Sequence, residues 1–77
     1  MTHLAEAGAI TGTTDKDYDL IWLAETCLSA ALRLETYIED ARRAGDAQVA
    51  DLLSRAQVSA IRGAEEAKAL LADRLSA

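Results

Sequence analysis

From Thr14 onward a helical apolar period runs almost to the end of the chain. It is broken at one place, the stretch Arg42-Arg43-Ala44-Gly45-Asp46. No proline occurs anywhere, so nothing else in this region forces a helix to stop. The break reads as an end followed at once by a beginning. Two arginines stand where a helix carboxy terminus favours cations, and Gly45 supplies the left-handed residue that ends a helix. Asp46 is a good amino-terminal cap for the next one. Thr14, Asp15 and Asp17 cap the first helix in the same manner, with acids at the positive end of its dipole. The expectation is a first helix over about 15–44, a turn at 45–46 and a second helix over about 46–75. Two helices of matched length, each roughly 42–45 Å, joined by a minimal turn form an antiparallel hairpin. The fold class is all-α.

Composition limits what such a hairpin can do. The 77 residues form one small domain, and although 51% are apolar, many of these are alanines that bury little area. The net charge of -5 opposes nucleic-acid binding, which needs a basic face, and opposes docking on anionic lipid. A single cysteine, Cys27, excludes an internal disulfide framework and a multi-cysteine zinc site within one chain. No apolar run reaches the roughly 20 residues of a membrane span, and no basic residue precedes an amino-terminal apolar segment. A cytoplasmic, membrane-free protein is therefore expected. Residues 1–14 mix Gly, Thr and Ala without a sustained period and read as a flexible arm that orders against a partner.

Placing residues at 100° intervals gives the expected seam of the hairpin. The first helix contributes Leu20, Leu23, Ala24, Cys27, Ala31, Leu34, Ile38 and Ala41. The second contributes Val49, Leu52, Leu53, Ala56, Ala60, Gly63, Ala64, Ala67, Leu70 and Leu71. Folding about Gly45 brings Ile38 near Leu52, Leu34 near Ala56, Cys27 near Gly63 and Ala24 near Ala67. Large residues gather at the ends of this seam and small ones in its middle. Gly63 costs about 1 kcal/mol relative to Ala inside a helix, which calls for a reason. Close backbone approach is one, and a small central ligand space is the other; close packing of interiors favours the first.

A lone two-helix hairpin leaves much of its apolar surface wet. Leu20, Ile21, Trp22, Leu28 and Leu32 on the first helix, with Val58 and Ile61 on the second, are expected to form an interface. Two hairpins sharing it would make a four-helix bundle, with a twofold homodimer as the commonest closed arrangement. Trp22 points furthest from the seam and is a candidate anchor for that dimer, a higher oligomer or another protein.

The succession GTTDKDYDL (12–20), ETYIEDARRAGD (35–46) and RGAEEAKALL (62–71) resembles a family of small bacterial two-helix proteins related to the ferritin-like fold. The resemblance implies a hairpin that pairs into a four-helix bundle, in a family without a settled activity. Ferritin-like di-metal proteins project carboxylates and Glu-x-x-His pairs into the bundle. By the resemblance, Glu35 occupies the position of an inward-looking glutamate, Thr26 stands where a histidine is expected, and Leu32 replaces a polar or acidic residue. The one histidine, His3, lies in the arm.

Glu35 and Glu39 are accordingly the candidate metal ligands. Glu35 from two chains could meet across a dimer axis and hold a hard divalent cation through oxygen alone. The competing reading is an ion pair, since hairpin arithmetic puts Arg55 opposite Glu35 and Arg43 offsets Glu39. Cys27, inside the seam, reads as a small hydrophobe, and Tyr18 and Tyr37 as edge packing. Asp51 with Arg55 and Arg62 with Glu66 are favourable surface pairs. No nucleophile, base and anion pocket assemble, so no catalytic residue and no required cofactor are assigned. The leading expectation is a self-associating interaction or structural protein. The alternative is a degenerate ferritin-like bundle holding a divalent metal at Glu35. A third is an accessory protein docking through its arm.

Overall fold

The corner at Gly45-Asp46 forms as a reciprocal pair of caps. In the computed structural model, which describes residues 8–76, α1 spans Gly8–Thr11, α2 spans Asp15–Arg43 and α3 spans Ala47–Leu75. Residues 1–7, with His3 among them, and Ala77 lie outside the described residues. Gly45 takes φ +73, the left-handed conformation, with no neighbouring atom in reach of an added Cβ. Its N–H donates to the Arg42 carbonyl at 3.0 Å, and the Asp46 N–H donates to the Ala41 carbonyl at 2.9 Å. These two bonds satisfy carbonyls that the end of α2 would otherwise leave open. The Asp46 carboxylate then accepts from the Val49 N–H at 3.1 Å, satisfying a donor at the start of α3. One residue thus closes one helix with its backbone and opens the next with its side chain. Asp46→Ala should lower stability by about 1 kcal/mol in a urea titration, while Asp46→Asn should change it little.

The start of α2 is built differently from the expectation. Thr14 is the cap by position, and its carbonyl accepts from Tyr18 N–H at 2.9 Å, but its hydroxyl makes no capping bond. Asp15 and Asp17 sit in the first turn, at the positive end of the helix dipole. Part of the stretch read as an irregular arm is also ordered. Gly8–Thr11 forms one helical turn, ended by Gly12 at φ +76.

The two long helices, 29 residues each, pack antiparallel along their length. The protein measures 51 × 26 × 14 Å, so it is two helices wide and one thick. On α2 a covered stripe runs through Leu20, Ala24, Cys27, Ala31, Leu34, Ile38 and Ala41, alternating three and four residues apart, with Thr26 and Ala30 half-buried beside it. On α3 it runs through Ala50, Leu53, Gln57, Ala60, Ala64, Ala67 and Leu71 with the same alternation, with Ser54 and Gly63 half-buried beside it. A repeat averaging about 3.5 residues keeps one narrow stripe facing the partner helix throughout, as in a coiled coil.

On α2 this stripe coincides with the expected seam except at Leu23, which is 40% exposed at its edge. On α3 it differs. Leu52 and Leu70, placed in the seam by sequence, are 57% and 44% exposed, Ala56 is exposed, and Val49 lies at the rim. Ala50 and Gln57 take seam positions instead. The cause is the alanine content: apolar residues occur on several faces of α3, and weighting leucines rotates the stripe away from the even three-four alternation.

The resulting core is thin. Among the described residues the buried apolar side chains are Ala24, Ala31, Ile38, Ala41, Ala50, Ala64 and Ala67, and Ile38 is the one large side chain fully buried. Alanine against alanine brings two backbones close together. A Cβ built on Gly63 would lie 3.1 Å from the Cys27 sulfur, tighter than ordinary contact. The central glycine is there because the helices touch, and close approach rather than a ligand space accounts for it.

Candidate functional site

Two contacts across the seam fix which outer residues share a side. Gln57 on α3 donates its amide to the Ala31 carbonyl and to the Glu35 carboxylate on α2, both at 3.0 Å. Glu35 and Gln57 therefore flank the seam on the same side. Gly63 approaches Cys27 on the opposite side. Both contacts give one rule of level: residue numbers that face each other across the hairpin add to about 90, as expected of antiparallel helices rising equally per residue.

Heptad spacing extends these two sides along the molecule. Ile21 and Leu28 stand two turns apart in the Glu35 column, and Leu32 lies one turn before Glu35. On α3, Ile61 stands one turn after Gln57, with Val58 beside it. Leu28, Leu32, Val58 and Ile61 thus occupy one flank at nearly one level. They are 42%, 76%, 54% and 44% exposed, a concentration of wet apolar side chains in the middle of the hairpin. The opposite flank carries large residues near its ends, Leu23 with Leu70 and Tyr37 with Val49 and Leu52, and small ones (Ala30, Ala56, Gly63) between them.

The residues expected at an interface are divided by this geometry. Ile21, Leu28, Leu32, Val58 and Ile61 lie on the Glu35 flank. Leu20 is half-buried in the seam, and Trp22, 61% exposed, projects from the outer face of α2, away from α3. Tyr18, 53% exposed, is one turn before Trp22 and continues the apolar surface towards the Glu35 flank.

The carboxylates expected to meet Arg55 or a metal have other neighbours. Glu35 accepts from Gln57, while Arg55 is held by Asp51 one turn away at 3.2 Å. Gln57 reaches Glu35 because it occupies the seam position facing it; Arg55, two residues earlier, points outward. Arg43 pairs with Asp40 rather than Glu39. Lys68 pairs with Glu65 at 2.9 Å. All of these ion pairs are half or more exposed and each contributes a few tenths of a kcal/mol. Among the described residues no three His, Cys, Asp or Glu side chains converge as a metal-binding group. Glu39 is exposed one turn from Glu35, on the outer side of the same flank.

Two shallow grooves occur among the described residues. One open groove on α3 is lined by Ser54, Arg55, Val58 and Ser59, and another on α2 by Glu25, Thr26, Ser29, Ala30 and Arg33. Both are shallow depressions between side chains of a single helix. Among the described residues no helix is long and apolar enough to cross a membrane. No family model, curated protein or solved structure matches the chain. Ala50 and Gln57 are the seam residues that size-weighted patterning overlooks; the signal for both was the three-four alternation running straight through positions 50 and 57.

Proposed function

We propose that this is a small self-associating helical protein, structural or adaptor-like in role, whose hairpins pair into a four-helix bundle as a homodimer. The observation that carries this reading is where the large apolar side chains lie: among the described residues Trp22, Leu28, Leu32, Val58 and Ile61 are exposed, while alanine fills the core.

A permanent covering is required, since the seam alone buries too little to hold two long helices together in water. Another copy of the chain is present wherever the chain is present. Sedimentation at micromolar concentration should give a species of about twice the 8.2 kDa protomer mass, or a closed multiple of it. Helicity should fall on dilution through the dissociation constant. A helical, stably folded monomer across the whole range would overturn the reading.

A further inference from the structure

We infer that the second copy docks on the flank carrying Leu28, Leu32, Val58 and Ile61, with a twofold axis parallel to the helices, so that both Gly45-Asp46 corners lie at the same end. The inference rests on the self-association proposed above and specifies its face and direction. The choice of face follows from the distribution of size. On this flank the large apolar side chains stand together at one level, where two copies can bury them against each other. On the opposite flank they stand at the two ends, with Ala30, Ala56 and Gly63 between. Two such surfaces laid together would meet at their ends over an unfilled centre, which packing disfavours.

The choice of direction follows from the level rule. With the axis along the helices, α2 of one copy faces α3 of the other, and facing residues have the same numbers as within a hairpin. Leu32 meets Val58 of the second copy and Leu28 meets Ile61. Tyr18 meets Ala72, and Ile21 lies on the aliphatic stem of Lys68. With the axis across the helices, α2 would face α2. Ile21 would then lie on Glu39 and Tyr18 on Arg42, spending apolar area against exposed charges. The favoured arrangement has two unfavourable contacts, which give it a distinctive signature: Glu25 faces Glu65 and Glu39 faces Asp51 of the second copy, and like charges at that spacing repel.

The test uses the full chain. Leu32 is 76% exposed in the hairpin, so Leu32→Glu removes no packing within the protomer and should weaken association at least 100-fold by sedimentation. Leu70→Glu, on the opposite flank, should weaken it less than about threefold. Glu25→Lys should tighten association about tenfold, by replacing two repelling pairs with two attracting ones. That gain cannot be mimicked by a variant that merely unfolds. Nitroxide labels introduced by Gln48→Cys in a Cys27→Ala background should report a corner-to-corner distance below about 30 Å, whereas corners at opposite ends would lie roughly 40 Å apart or more. Strong association that resists Leu32→Glu, no tightening by Glu25→Lys, or the long distance would each overturn this arrangement while leaving self-association standing. A monomeric parent protein would remove both.

Discussion

Replacing Ile38 by alanine lowers stability by about 3 kcal/mol, the largest loss expected from a single truncation in this protein. Ile38 is 2% exposed and is the one large side chain fully buried among the described residues. Every other buried apolar residue among them is an alanine, with no further methylenes to lose. The neighbouring alanines cannot reach into the space a missing isoleucine leaves, so the cavity term adds to the transfer term rather than relaxing away. For a small domain this is a large part of the total stability. Urea titration at fixed protein concentration measures the loss, the concentration being held because association contributes to the apparent value. Leu52→Ala is the informative comparison. Leu52 is 57% exposed, and its truncation should cost no more than about 0.5 kcal/mol. Equal losses at the two positions would show that the seam runs through Leu52 after all.

Ala64→Leu is expected to be nearly as damaging, by the opposite route. Ala64 is 0% exposed and sits in the middle of the seam, next to Gly63, where the helices already approach so closely that a single added Cβ would crowd Cys27. Three further carbons have nowhere to go. Either the side chain takes a strained rotamer or the helices separate and open the alanine layers on both sides, at a cost of about 3 kcal/mol. Thermal unfolding followed by circular dichroism should show the loss. The same substitution at exposed Ala69, only five residues away, should leave the transition within a degree or two of the parent, because leucine is nearly as good a helix former as alanine.

These two positions also show how far the sequence could be read. The corner was legible because its chemistry is local: Gly45 must be left-handed, Asp46 can cap, and the paired arginines suit a helix end. The α2 seam was legible because Leu20, Leu34 and Ile38 are large enough to mark it. The α3 seam was rotated in the reading, since its large residues, Leu52 and Leu70, lie outside the seam while alanines and Gln57 lie within. Periodicity weighted by size fails where the buried residue is the smallest available. The partner of Glu35 was misjudged for a related reason. Ion-pair reasoning selects Arg55 by charge, whereas seam geometry selects Gln57 by direction. The candidate surface was legible as a set of apolar residues but not as two flanks, because their separation depends on contacts that span α2 and α3.

The alanine seam has a thermal consequence. Alanine has no side-chain rotamers to freeze, so closing the hairpin costs little side-chain entropy, and the area it hides is small. A protomer built this way releases little apolar surface when it opens. Its heat-capacity increment per residue should therefore fall below the usual value of about 12–15 cal/mol/K, leaving a stability curve that is low, broad and slow to change between cold and warm.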